Sequence, residues 1–194
     1  MDQQLISLAR AVKRRRRAPG ATLWLFTDAA RQPDVLAIIA RLPRDVCGVV
    51  FRHDGAADRA DLALRVAALC RARRLPLVVA GDWRLAAACR AGLHLRGGVR
   101  PRTGYRGGVT TASAHDPAQR RAAIRARVTM IFVSPAFATA SHAGQRALGS
   151  CRWAALARDH ATPMLALGGI NGGTGRRIGR HGAGFGVIEA LSSL

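Results

Sequence analysis

The chain is short of everything that would staple it covalently or through a metal. Its four cysteines, Cys47, Cys70, Cys89 and Cys151, form no Cys-x-x-Cys pair. Neither a disulfide framework nor a zinc site is indicated by that spacing. Each cysteine lies in an apolar segment, so all four are expected as buried, reduced small hydrophobes of a cytoplasmic protein. Lysine is almost missing: Lys13 stands alone among 31 basic residues. Aromatic residues make up 5% of the chain. No apolar run approaches the ~18 residues of a membrane span. The opening "MDQQLISLARAVKRRRRAPG" places its charges after its apolar residues, the reverse of a signal peptide. It reads as an amphipathic helix, a basic extension over residues 1–20.

What is present is a globular composition. Hydrophobic residues, chiefly Ala, Leu and Val, are 49% of 194. That length supports one domain over 1–194 with a sizeable core. The net charge of +20 has two readings. One is a nucleic-acid footprint. The other is a general arginine bias, because Arg, Ala and Gly are abundant together and the arginines are spread over most predicted helices. Only Lys13 to Arg17 forms a cluster. The second reading is preferred, and nucleic acid is not the expected partner. Attraction to anionic small molecules is compatible with either reading.

Short apolar runs recur along the chain, at 23–27, 47–52, 75–81, 92–95, 107–113, 130–134, 163–169 and 185–190. Helical patterns fill 33–42, 57–73, 83–91, 117–127, 152–160 and 174–181, and the Gly- and Arg-rich link 96–106 is expected to be irregular. Continuous apolar strands alternating with helices imply a parallel sheet buried on both faces. Eight such strands close a (β/α)8 TIM barrel, here a short one with a truncated final helix, since only "LSSL" follows Ala190. A doubly wound open sheet is the alternative, but no G-x-G-x-x-G follows the first strand. The missing helix would leave one flank thinly covered, and a homodimer could protect it.

Barrel chemistry gathers where strands end. Here those ends are polar: Thr27-Asp28, Arg52-His53-Asp54, Gly81-Asp82, His94 to Gly98, Ser113 to Asp116, the loop 135–150, Gly168 to Gly173, and Ile188-Glu189. Some have plain structural explanations. Asp116 before Pro117 is a good helix cap, Asp28 is equally plausible as a cap, and His94 can be a satisfied core histidine. Arg52 is different, because a guanidinium at the end of an apolar strand needs an anion or a carboxylate. "LGGINGGTGRR" lets backbone approach a ligand closely, and barrels hold phosphate after strands seven and eight. Thr139, Ser141 and His142 in the preceding loop can donate to phosphate oxygens.

Taken together, these segments resemble the thiamine-phosphate synthase and thiazole tautomerase family over nearly the whole chain. "LWLFTD" is similar to the family's opening strand. "VVFRHDG" stands where the family has Gln-x-Arg, and "AGLHLRGG" is similar to Gly-Val-His-Leu-Gly. "TTASAHD" matches Ser-x-His, "SPAFATASH" resembles Gly-Pro-Val-Phe-x-Thr-x-Ser/Thr-Lys, and "LALGGI" resembles Ile-Gly-Gly-Ile. The resemblance implies a small barrel that joins a pyrophosphorylated aminopyrimidine to a thiazole phosphate, with Mg²⁺ assisting departure of pyrophosphate. It places Arg52, Thr139 and Ser141 against the pyrophosphate, with His142 in the place of a lysine. Ser113 would lie near the pyrimidine. Gly168, Gly169 and Ile188 would hold the thiazole phosphate, and Asp82 would carry the metal. The chain departs from the family at Val50 and Asp54, where the family has Gln and Lys. No second metal carboxylate follows His94-Leu95, Glu189 replaces a serine, and Pro135 stands where the tautomerase branch has histidine. A barrel that binds a phosphorylated ligand without catalysis is the alternative function. A basic nucleic-acid binder using Lys13 to Arg17 is the third.

Overall fold

The computed structural model describes residues 1–98, 107–139, 146–158 and 161–192. Eight parallel strands close into a barrel in chain order: β1 (Leu23–Phe26), β2 (Cys47–Phe51), β3 (Leu77–Ala80), β4 (Gly92–Leu95), β5 (Thr110–Ala114), β6 (Met130–Val133), β7 (Met164–Leu167) and β8 (Phe185–Val187). Register runs unbroken from Leu23 opposite Cys47 round to Leu23 opposite Phe185. The helices are α1 (Gln3–Arg16), α2 (Val35–Arg41), α3 (Arg59–Arg73), α4 (Trp83–Ala88), α5 (Pro117–Arg125), α6 (Gly149–Ala157) and α7 (Gly172–Arg176). The expected (β/α)8 barrel is therefore present, and the open-sheet alternative is not.

Strand parity explains the apolar runs. One set of side chains faces the helices, including Leu23, Leu25, Val49, Phe51, Ile131 and Val133. The alternate set fills the barrel: Trp24, Phe26, Val50, Val78, Ala80, Phe132, Leu165 and Leu167. Three rings dominate that interior. Phe26 meets Phe132 edge-on at 4.8 Å, and Trp24 meets it at 6.1 Å. Glycine makes the room, since a Cβ on Gly48 would stand 2.8 Å from the Trp24 ring and one on Gly186 2.9 Å from Phe26. Both distances are below contact, so the aromatic filling and the glycines opposite it are one packing solution.

Helix starts follow capping chemistry. Asp34, Asp82 and Asp116 each accept from a backbone N–H three residues on, which supplies one missing acceptor per helix. The strands come out shorter than the hydrophobic runs because the ends of those runs are turns. β3 begins at Leu77 rather than 75, after a proline that offers no N–H. α7 begins at Gly172 rather than 174, because Asn171 and Thr174 close a reciprocal capping box.

No helix follows β8 within the described residues, and 188–192 is turn. The flank this leaves is not bare. Asp2 donates its N–H to the Ala190 carbonyl, and its carboxylate accepts from Leu5 and from Gly172 at the start of α7. At the other end Arg15 donates to the Gly179 carbonyl and Arg10 pairs with Asp45 at 2.7 Å. Leu5, Ile6, Ala9 and Val12 are buried along the helix between those two ends. The opening helix thus takes the place of the missing eighth, running from the strands' C-terminal end to their N-terminal end. The flank beside β8 is therefore covered within the chain itself. Cys47, Cys70 and Cys89 are buried as expected, and burial pushes the Cys47 and Cys70 thiols up to about 12. Cys151 is exposed, because it lies on the outer side of α6 while Trp153 and Ala154 take the inner side.

Candidate functional site

At the C-terminal ends of the strands the interior turns polar. A cavity of about 110 Å³ opens there, lined by Arg52, Ser134, Thr139, Gly168, Gly169 and Ile188 among others. Five sequence-predicted residues, Arg52, Thr139, Gly168, Gly169 and Ile188, thus meet at one cavity. Ser113 and Asp82 do not line it. Ser141 and His142 lie outside the described residues.

Arg52 is fixed before any ligand arrives. Its backbone N–H donates to the Thr27 hydroxyl at 2.9 Å and its Nε to the Thr27 carbonyl at 3.0 Å. The guanidinium lies over the Phe26 ring at 5.6 Å, and one Nη sits 3.4 Å from Asp28. Burial lowers its pKa from the ordinary value, while Asp28 and then Asp54 oppose the shift. An arginine keeps its proton under such a shift, so the cavity carries a fixed positive group. Asp28 also faces Arg31, and Arg31 reaches Glu189 at 3.0 Å. Glu189 also lines the cavity, and this chain of charges engages it. Its carboxylate turns to Arg31, and its side chain is 69% exposed.

The glycine pair has a local reason first. Gly168 and Gly169 hold φ of +89° and +63°, a region that side chains resist. The segment after β6 lies directly on them. A Cβ on Gly169 would approach the Ala138 carbonyl to 2.4 Å. Ala136 and Phe137 donate to the carbonyls of Leu167 and Gly168. Leu148 and Gly149 return to donate to Pro135 and Ala136, so both ends of the loop after β6 are tied to its first turn. Thr139 reaches the cavity from this platform.

Ser134 is the residue that sequence reasoning missed. It is fully buried, lines the cavity, and its hydroxyl has no partner among the described residues. A buried polar atom left unpaired costs about 1–3 kcal/mol, so an orphan aimed into a cavity indicates a group it would meet. The signal was available: Met130, Phe132 and Ser134 share one strand parity, and a hydroxyl ends an otherwise apolar inward row. Thr27 was also undervalued. It is wholly buried and holds the Arg52 N–H while meeting the His53 ring at 2.9 Å.

Ser113 has another engagement. Its hydroxyl meets His94 Nε2 at 2.9 Å, and Thr111 meets Nδ1 at 2.8 Å. His94 is packed edge-on to Phe26 at 5.4 Å. Burial first, then Arg52 and Arg96, pushes its pKa down to about 3. This is a neutral core histidine, each ring nitrogen with a hydroxyl partner. Asp82 accepts from Leu85 with one carboxylate oxygen and faces Arg59 at 3.4 Å with the other. Asp54 faces Arg96 and Arg59. Among the described residues no three His, Cys, Asp or Glu side chains gather where they could hold a metal ion.

Comparison with known proteins follows the same line. A family model described as thiamine monophosphate synthase matches residues 23–191, from β1 to just past β8. The thiamine biosynthesis bifunctional protein ThiED of Geobacter sulfurreducens is 32% identical over 143 residues, 70% of this chain. The chain spans 29% of the length of that relative. Among solved structures, the thiamine phosphate pyrophosphorylase of Pyrococcus furiosus superposes with a TM-score of 0.76 at 20% identity, covering 89% of this chain and 88% of its own. The citrate synthase SbnG superposes at 0.60 with 14% identity over 91% of this chain and 89% of its own. Two activities on one architecture show that the superpositions speak for the fold.

Proposed function

From the premise that the chain belongs to the thiamine monophosphate synthase family, we propose that it condenses an aminopyrimidine pyrophosphate with a thiazole phosphate, giving thiamine phosphate and pyrophosphate. One observation supports this best: a part-buried cation, an unpaired hydroxyl and a glycine turn share one cavity at the barrel mouth. In the reaction a carbon–oxygen bond to pyrophosphate breaks and its electron pair leaves with the pyrophosphate. A bond from the thiazole nitrogen to the pyrimidine methylene carbon forms in its place. Negative charge grows on the departing oxygens, so donors already fixed in place lower the barrier. Arg52 is such a donor, held by Thr27 and Asp28, and Ser134 is a second. Thr139 stands on the same rim, with Ser141 and His142 following it in sequence. The backbone of Gly168, Gly169 and Ile188 would seat the other phosphate. At about 110 Å³ the cavity suits an anionic head group, well below the ~300 Å³ or more of a whole drug-sized ligand.

The resemblance also implies Mg²⁺, and the residues present do not fit that group. Asp82 is occupied by a helix cap and Arg59, and Asp54 by Arg96 and Arg59. Arg96 follows His94-Leu95, where the resemblance would place a carboxylate. Charge neutralisation at the leaving group therefore falls to arginine.

The purified chain supplied with both phosphorylated substrates, with and without Mg²⁺, is expected to release pyrophosphate in step with thiamine phosphate. Saturable binding of thiazole phosphate with no release would replace this proposal by the non-catalytic ligand-binding barrel.

A further inference from the structure

The charge of the molecule is divided between its two ends. Ten of the eleven acidic residues are described. Asp2, Asp34, Asp58, Asp82 and Asp116 stand at the N-cap positions of helices, and Asp61 lies in a first turn. Asp28, Asp54 and Glu189 follow β1, β2 and β8. All nine belong to the mouth end. Asp45 alone lies at the far end, and it is engaged by Arg10 and Lys13. Helix C-termini point to that far end, and they are basic: Lys13 to Arg16 close α1, and Arg71 and Arg73 close α3. Complementing helix dipoles accounts for part of this.

The backbone adds an independent observation. Four arginines, Arg17, Arg74, Arg90 and Arg127, have φ between +48° and +56°. Each follows a helix and is exposed. Glycine takes this conformation more easily than any side chain and is the common helix-end residue. This chain has 21 glycines, yet places a cation at all four of these positions.

A concavity lies at the same pole. It measures about 600 Å³ and is lined by Trp24, Val109, Met130, Leu165 and Pro163, with Arg16 at its edge. A neighbouring depression holds Lys13, Arg44 and Arg74. The volume lies within the range of pockets that take small ligands, and the lining is apolar. Among the described residues only Leu64 on α3 is large, hydrophobic and exposed, so none of them projects from this pole as a large hydrophobic side chain. A bilayer-inserting surface needs such projections. A nucleic-acid platform needs accessible aromatic faces, whereas Trp24 is 1% exposed. An apolar pit with Arg16 at its edge and a basic depression beside it fits a different shape, an apolar body carrying an anionic head.

We infer that the N-terminal pole of the barrel is a second ligand site, which takes a single anionic amphiphile with its hydrocarbon portion in the Trp24–Met130–Leu165 pit and its head group on the arginine rim. The site is independent of the mouth and of the chemistry proposed there. It would let a soluble anionic amphiphile bind while the mouth is occupied.

Monododecyl phosphate, kept below its micelle concentration, is the probe. Titration should show one molecule bound per chain, with a change in tryptophan fluorescence that Trp24→Phe removes. Saturating pyrophosphate should leave that binding unchanged. Inorganic phosphate and dodecanol, each lacking one half of the probe, should bind at least tenfold more weakly. The combined variant Arg17→Gly, Arg74→Gly, Arg127→Gly should also bind at least tenfold more weakly. Its melting temperature should be unchanged or higher, because glycine relaxes all three positions. Full-strength binding by that folded variant would overturn the inference, as would displacement by pyrophosphate. Attachment to phosphatidylglycerol vesicles or duplex RNA without binding of the monomeric probe would also overturn it, and would assign the pole to a polyanionic surface.

Discussion

Arg52→Ala is expected to slow pyrophosphate release by about a hundredfold or more. A desolvated charge facing a charged partner contributes about 2–5 kcal/mol when truncated, and each 1.4 kcal/mol is a factor of ten. Arg52 is 29% exposed at its side chain and anchored at two points, so little reorganisation dilutes that figure. The variant also frees the Thr27 carbonyl and leaves Asp28 with Arg31 alone, so a structural effect must be separated from a catalytic one. Arg52→Lys separates them. It keeps the charge but cannot both donate to Thr27 and reach a ligand. Partial rescue by lysine, with an unchanged melting temperature and a loss mainly in kcat, identifies charge at the reacting group. Equal loss in both variants with a lowered melting temperature would mean that Arg52 only supports the mouth.

Acid is expected to destabilise the fold well before the carboxylates titrate, and His94 is the reason. In the folded barrel its pKa lies near 3, against 6.5 for a free histidine. Below pH 6.5 the unfolded chain gains a proton that the folded chain refuses. Stability from this residue is therefore complete above about pH 6.5 and is lost progressively as pH falls toward 3. The full span is worth about 5 kcal/mol, a large share of a domain's net stability. Buried His53, whose pKa is also lowered by burial, adds in the same direction. Denaturant midpoints of the wild type and of His94→Gln between pH 7 and pH 4 isolate the effect. The variant should be less stable at neutral pH, having lost a buried hydrogen bond to Thr111 or Ser113, but should show a visibly flatter pH profile. Parallel profiles would remove His94 as the acid-sensitive group.

The barrel could be read from the sequence because its signal is repeated. Eight apolar runs carry inward and outward parity together, and each short β-strand found lies inside one of them or ends one residue beyond it. What the runs could not reveal was the role of the opening helix. Amphipathicity gives a buried face, whereas the partners of Asp2 and Arg15 are some 170 residues away in the chain. The rim was legible for the same reason the barrel was. Arg52, Gly168 and Ile188 end strands, and a closed parallel barrel brings all strand ends to one face. Ser134 went unremarked because one hydroxyl after "MIFV" looks ordinary until its burial is known. Ser113 and Asp82 illustrate the opposite difficulty. Each has the right residue type at a strand end, yet His94 engages one while Leu85 and Arg59 engage the other. Sequence cannot show which polar groups have already satisfied one another.

The central claim is that the mouth cavity is an oxyanion site, and a crystal structure of the protein saturated with pyrophosphate tests it most directly. The account predicts one anion in the cavity, within hydrogen-bonding distance of the Arg52 guanidinium, the Ser134 hydroxyl and the backbone at 168–169. Pyrophosphate seated only elsewhere, with that cavity unfilled and Ser134 still unpartnered, would contradict it.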